Sequence, residues 1–162
     1  MDIASLAISI ILSLFFIIPV SLLIYSVKQK ERKLKNAFLS AINENNLIIA
    51  EHDSWKNKII GIDNTNDKLL FIHLAADQIK EDLVDLNQIS YCTIRHSGIK
   101  NYKEGSHSNT SDKLELSLIS KDKKVEDINI PFFDLNSNNP FELKSMQDKA
   151  GEWQTIIEKK LK

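Results

Sequence analysis

The pattern of hydrophobic and polar positions divides the chain into an apolar start, an amphipathic stretch and a long region of alternating residues. The apolar run from Ile3 to Val27 contains no charged residue. It exceeds the ~20 apolar residues that a helix needs to cross a hydrocarbon core of ~30 Å. The run stops at a basic cluster, Lys28, Lys30, Arg32, Lys33 and Lys35. We therefore expect residues 1–27 to form a transmembrane anchor.

The flanks of this run predict its orientation. No Lys or Arg precedes it and bulky residues occupy its far end, so the pattern is not typical of a cleaved signal peptide. All five flanking basic residues follow the run, and basic residues beside a membrane segment are retained in the cytoplasm. We expect a single-pass protein of the inner membrane, with the N-terminus outside and the remaining domain in the cytoplasm. The inverted topology is the alternative.

Two features of this region predict contacts. Ser5, Ser9 and Ser13 recur every four residues, and small residues at that spacing let two membrane helices approach closely. A homodimer through this stripe is one hypothesis, and tolerance of serine in an apolar helix is the other. The five basic residues are expected to contact the anionic surface of a lipid bilayer.

Residues 28–46 are predicted to form a basic juxtamembrane helix or stalk. Spacings of three and four place five apolar residues on one face: Leu34, Ala37, Phe38, Ala41 and Ile42. This stripe either packs on the domain that follows or forms a short coiled coil between two copies of the chain. Asn45 and Asn46 are typical of a helix C-terminus.

From Leu47 the hydrophobic period changes to two, which is typical of strands. Strands are predicted at residues 47–52, 58–63, 68–74, 84–86, 89–96, 113–120 and 125–132. The polar turn at 63–67 predicts a hairpin between the second and third strands. Residues 97–112 are expected to be a flexible polar stretch.

The last predicted element is an amphipathic helix over residues 140–161. Asn139 is placed as its N-cap and Pro140 as its first residue. Its apolar residues step by three and four: Leu143, Met146, Ala150, Trp153 and Ile157. We therefore expect an α+β domain over 47–162 in which this helix caps an antiparallel, β-rich barrel or strongly bent sheet. An open antiparallel sheet packed on the same helix is the alternative.

This order of elements resembles that of pleckstrin-homology-like domains. The resemblance spans residues 47–161 and rests on the element order, on Trp153 and on the segment KIIGIDNTNDKLLFI from Lys58 to Ile72. The chain is similar to membrane-anchored bacterial domains of this type, and this resemblance implies a binding scaffold. Relatives often bind inositol phospholipids through basic residues near the first loop between strands. Here Lys56 and Lys58 lie beside the acidic Glu51 and Asp53, so such recognition is not indicated.

Charge and cysteine content narrow the classes of function. Of 21 Lys and Arg residues five lie in the basic cluster, and of 22 Asp and Glu residues two precede Lys35. The remaining 16 basic and 20 acidic side chains give the rest of the chain a charge near −4. An acidic domain argues against a nucleic-acid partner, which requires a basic face. The single Cys92 permits no intramolecular disulfide.

Three groups of residues imitate known sites without completing one. Cys92 and His96 share a strand face, but no second Cys/His pair accompanies them, so no metal is expected. His52, Asp53 and His73 lack a nucleophile in a recognisable motif. Asp63, Thr65 and Asp67 begin like a calcium loop, but Lys68 and Leu74 stand where Gly and Glu are required. A hairpin turn is the prediction there.

Two further features are candidates for contact with a partner. Asp77, Glu81, Asp82 and Asp85 form an acidic loop that is either solvated or a docking patch for a basic partner. Trp55 is either an exposed contact residue or buried at a strand junction. We expect a protein without catalytic residues or cofactor that binds or scaffolds another protein at the membrane. The alternative is an accessory subunit or enzyme whose site is completed by a partner chain.

Overall fold

The computed structural model describes residues 3–97 and 113–161, and in its first helix the side chains from Leu12 onward, apart from Leu14 and Leu23. Residues 98–112, most of the predicted polar stretch, lie outside the described residues. Within the described residues the fold is α+β, with two helices and two antiparallel sheets. The chain divides into two compact units, the first formed by residues 1–65 and 70–83 and the second by residues 66–69 and 84–162.

Helix α1 runs without a break from Ile3 to Glu44, over the predicted anchor and stalk. Two residues beyond its end, Asn46 adopts a φ of 50°. This left-handed conformation is one that asparagine tolerates at a helix end. The first sheet follows, with strand order β1-β2-β3-β4 and bounds β1 Ile49–Trp55, β2 Lys58–Asp63, β3 Lys68–Ala75 and β4 Gln78–Asp85. The predicted hairpin of residues 58–74 is therefore confirmed.

The carboxylate of Asp63 holds the turn of this hairpin. It is fully buried and accepts hydrogen bonds from the backbone N–H groups of Thr65, at 2.6 Å, and Ile48, at 3.1 Å. A buried carboxylate needs such donors, because leaving it unpaired would cost free energy. These hydrogen bonds explain why an acidic residue ends an otherwise apolar strand.

The core of the first unit joins α1 to its sheet. Leu34, Phe38 and Ala41 are buried in one cluster with Leu70 and Ile72 of β3. The same cluster contains Leu47, Ile59 and Leu74, with Ala37, Ile42 and Ile49 packed against it. Of the two predictions for the apolar stripe of α1, packing on the domain that follows is therefore confirmed.

The second unit contains a three-stranded antiparallel sheet and the second helix. Its strand order is β5-β6-β7, with bounds β5 Ile89–Ser97, β6 Lys113–Ser120 and β7 Ile128–Asp134. Helix α2 runs from Leu143 to Glu158 and contacts all three strands. A 3-10 turn precedes it, where Asn139 Oδ1 accepts a hydrogen bond from Phe141 N at 3.2 Å. Asn139 is thus confirmed as a cap, but of this 3-10 turn, and α2 itself begins three residues later and ends three residues earlier than predicted. Trp153 is buried as predicted.

The predicted barrel or single bent sheet capped by the C-terminal helix is wrong. The strands of the described ranges form two separate sheets that do not close into a barrel. The physical reason is that the chain has two amphipathic helices. The stripe of α1 covers a face of the first sheet, and α2 packs on the strands of the second. The sequence pattern predicted α2 as the cap of the barrel and left packing of the α1 stripe on the domain as one of two alternatives.

The predicted transmembrane anchor is also wrong. Among the described residues, no helix combines the length and the apolar character that crossing a membrane requires. The prediction of a single-pass inner-membrane protein with its domain in the cytoplasm depended on this anchor and is therefore wrong as well.

The predicted acidic loop is an edge strand. Asp77 precedes β4, and Glu81, Asp82 and Asp85 lie on that strand, most of whose side chains are exposed. Charged side chains on an edge strand discourage pairing with another chain. Asp77 also contacts Lys30 at 3.1 Å between exposed side chains, and such ion pairs contribute little to stability. The alternative of a docking patch stays a prediction.

Candidate functional site

A half-open groove in the first unit is the candidate site. It encloses about 750 Å³ between α1 and the strands β1 and β2. One wall comes from α1 through Glu31, Leu34, Lys35, Phe38, Leu39 and Ile42. These residues recur at spacings of three and four, which places them along one side of the helix. Leu34 and Phe38 are buried, whereas Leu39 remains 48% exposed.

The floor of the groove comes from the two strands. Ile49, His52, Ser54, Lys56 and Ile59 line it. Successive side chains of a strand point to opposite faces, so Glu51 and Asp53 alternate away from the groove-lining His52 and Ser54. The strand therefore directs Glu51 and Asp53 to one face and His52 and Ser54 into the groove.

Gly61 on β2 lets α1 approach this floor. A Cβ atom at Gly61 would lie 2.8 Å from Cζ of Phe38 and 3.3 Å from Cγ2 of Ile49. The Phe38 ring occupies that space, and its centroid lies 6.0 Å from that of the His52 ring. The shape of the groove thus depends on the missing side chain at Gly61.

The residues predicted to contact a membrane surface or a second helix lie on α1, and one of them lines the groove. All five residues of the basic cluster are exposed on α1, and Lys35 lines the groove. The predicted contact of these residues with a membrane surface stays untested. Ser13 is exposed, and the side chains of Ser5 and Ser9 lie outside the described residues. The homodimer through this stripe is not tested.

Trp55 is buried rather than exposed. Its side chain is 5% exposed, and its ring stacks on Phe71 with centroids 6.4 Å apart. Of the two predictions for this residue, the buried one is confirmed. Trp55 therefore belongs to the packing of the first unit and is not a surface contact.

Cys92 and His96 do not form a site. Cys92 is buried on β5, while His96 is exposed near the end of the same strand. No cluster of three or more potential metal ligands occurs among the residues that the structure describes. Gln154 of α2 donates a hydrogen bond to the backbone oxygen of Cys92 at 3.2 Å. Cys92 thus acts as a small buried residue under α2.

We expect the Cys92 thiol to be unreactive in the folded protein. Burial, with a smaller contribution from the Glu158 carboxylate, raises the pKa of this thiol from 9.0 to about 12. The thiolate is the reactive form of cysteine. At neutral pH, Cys92 should therefore react with Ellman's reagent about a thousandfold more slowly than a thiol with a pKa of 9.0. A Tyr91→Cys variant in a Cys92→Ala background gives the exposed control on the same strand. Equal rates for the two thiols would contradict the expectation.

His73 on β3 is the second described side chain with a shifted pKa. Its ring stacks on Phe71 with centroids 5.3 Å apart, and its buried Nδ1 has no hydrogen-bond partner among the described residues. Burial lowers the pKa of His73 below 6.5. The Asp82 carboxylate opposes this shift, while Lys58 and Lys80 add to it. The folded protein therefore favours the neutral imidazole.

This shift predicts that the first unit loses stability in mild acid. Below pH 6.5 the unfolded chain binds a proton at His73 that the folded chain resists. The contribution of His73 is therefore fully present above pH 6.5 and is lost as the pH falls through the lower pKa of the folded state. Urea unfolding at several pH values should show a shallower pH slope for His73→Phe than for the wild type. Leu39→Ala, which changes no ionisable group at an exposed position of the first unit, should keep the wild-type slope.

Comparison of the chain with protein-family models, with curated proteins and with solved structures found no match. The resemblance to pleckstrin-homology-like domains accordingly stays a prediction. The sequence reading missed the groove, although Gly61 within an apolar strand was a signal of close approach by another element.

Proposed function

We propose that this protein is a binding module whose groove beside α1 holds a segment of another protein. The observation that carries the proposal is the composition of the groove. Its buried bottom is apolar, through Leu34, Phe38 and Ile59, and its rim carries charged and polar side chains. Burying apolar surface supplies affinity, and polar groups at the rim supply orientation.

The openness of the groove favours a protein segment over an enclosed small ligand. Leu39 stands on its wall and is 48% exposed, so a ligand here would remain partly in contact with solvent. Small-molecule sites usually bury 70–90% or more of the surface of a drug-sized ligand. A segment of a larger partner covers such an open groove and continues beyond it.

Photo-crosslinking in cells tests this proposal. A photoreactive amino acid replaces Leu39 in the groove, and a matched control replaces Tyr91, which is 53% exposed on β5. We expect one discrete crosslinked protein from position 39 that is absent from position 91. The same products from both positions, or none from position 39, would contradict a binding role for the groove.

The alternative is an accessory subunit or enzyme whose site is completed by a partner chain. The observation in its favour is that His52 and Ser54 both line the groove, since these are side chains used in proton transfer and nucleophilic attack. Replacing both with alanine distinguishes the two functions. The crosslink from position 39 should survive the double substitution in either case. If the protein is a binding module, the activity of the complex is unchanged, whereas if it is an enzyme, that activity is lost.

A further inference from the structure

The groove has a charge bias that identifies its occupant more closely. Lys35 and Lys56 line it together with His52, and Glu31 is the one acidic residue among the lining side chains. On α1, Lys28 and Arg32 are exposed and lie seven and three residues before Lys35. Those spacings place all three on the same side of the helix. A basic strip therefore extends the groove along α1.

The shape of the groove favours a helix over a strand as occupant. β1 is an edge strand, but its register with β2 is interrupted between Ile49 and Glu51. Bulges and charged side chains on an edge strand discourage the addition of another strand. The wall is itself a helix whose residues at spacings of four, Glu31, Lys35 and Leu39, form a ridge. Such ridges pack into the grooves of a second helix at 8–10 Å between the axes.

We infer that the occupant is an acidic amphipathic helix of a partner protein, lying alongside α1 over β1. This inference rests on the proposed function. Apolar residues of the partner at spacings of three and four contact Leu39, Ile42 and Ile49. Its Asp and Glu residues flank that stripe and contact Lys35 and Lys56, so opposite charges meet at the rim.

A charge-reversal series on the full chain tests the inference. The photoreactive residue at position 39 is combined with Lys35→Glu or Lys56→Glu. The matched control is Lys33→Glu, which makes the same charge change on α1 but lies two residues from Lys35, on another side of the helix. Reversing a rim charge replaces an attraction by a repulsion, so the yield of the crosslink should fall by about tenfold. The control should stay within about twofold of the unaltered protein.

The identity of the crosslinked segment provides the second readout. Mass spectrometry of the crosslinked peptide should locate a segment with apolar residues at helical spacing and flanking Asp or Glu. Changing one of those acids in the partner to Lys should restore the yield lost in Lys35→Glu. Far-ultraviolet circular dichroism of each variant verifies that the exposed substitutions leave the fold intact.

The outcomes separate the inference from the proposed function. A discrete partner whose segment is basic, lacks helical spacing or ignores the Lys35 and Lys56 reversals would overturn the acidic helix and leave the binding module standing. Crosslinking to a second copy of this chain would also overturn the acidic helix and leave the binding module standing. No product from position 39, or a bound small molecule in place of a protein, would overturn both.

Discussion

Replacing Phe38 with alanine is expected to lower the free energy of unfolding of the first unit by about 3–5 kcal/mol. The Phe38 side chain is only 6% exposed and lies in the cluster that joins α1 to β2 and β3. Its loss leaves a cavity beneath the helix that the neighbouring side chains fill only in part. Leu39→Ala is the matched control one residue away, and because Leu39 is half exposed we expect a change of at most about 1 kcal/mol.

Tryptophan fluorescence makes this measurement specific to one unit. The chain has two tryptophans, with Trp55 in the first unit and Trp153 in the second. In a Trp153→Phe background, the emission of Trp55 during urea unfolding therefore reports the first unit alone. Equal unfolding free energies for Phe38→Ala and Leu39→Ala would show that α1 does not stabilise the sheet through this ring.

The contact between Phe38 and Gly61 predicts that substitutions at the two positions are coupled. Gly61→Ala would place a Cβ 2.8 Å from the Phe38 ring, and such overpacking typically costs about 1–3 kcal/mol. Phe38→Leu frees part of that space. The double variant Phe38→Leu/Gly61→Ala should therefore be less destabilised than the sum of the two single variants. Strict additivity would contradict a direct contact.

The second large effect is expected at Trp153. Trp153→Ala should lower the free energy of unfolding of the second unit by about 3–5 kcal/mol. Ala150, Trp153 and Ile157 are the buried residues of α2 and form its contact face. Trp153 is the largest of the three, so its truncation removes the largest side chain of this contact face.

Phe141→Ala is the matched control for this measurement. It also removes an aromatic ring, but Phe141 is 94% exposed at the turn before α2. We expect its free energy of unfolding to stay within about 0.5 kcal/mol of the wild type. The rate at which Cys92 reacts with a thiol reagent measures opening of the second unit, because this thiol is buried on β5. Slow labelling in Trp153→Ala, as in the wild type, would contradict the expectation.

Several elements could be predicted from the sequence because local chemistry determines them. The strands β2 and β6 have the predicted bounds, since an apolar run or an alternating pattern is bounded on each side by polar turn residues. The cap at Asn139 was correct because it depends on a side chain two residues from its donor. The buried face of α2 follows from spacings of three and four within one helix.

Other elements could not be predicted in this way. β4 is exposed over most of its length, so its residues show no hydrophobic period, and its acidic side chains favoured a loop. Its strand conformation depends on hydrogen bonds to its neighbour β3 in the sheet. The apolar run at the start was predicted to be an anchor from its length and charge alone. Among the described residues, no helix has the length and apolar character that a membrane span requires.

The sequence by itself determined the bounds of β2 and β6 and which faces of the two described helices are buried. These properties depend on neighbours within a few positions of one another. Only the tertiary structure decided that the strands form two sheets, that each sheet has its own helix, and that a groove lies beside α1. Each depends on contacts between distant residues, such as Phe38 against Gly61, and the spacing of residues along the chain does not specify such contacts.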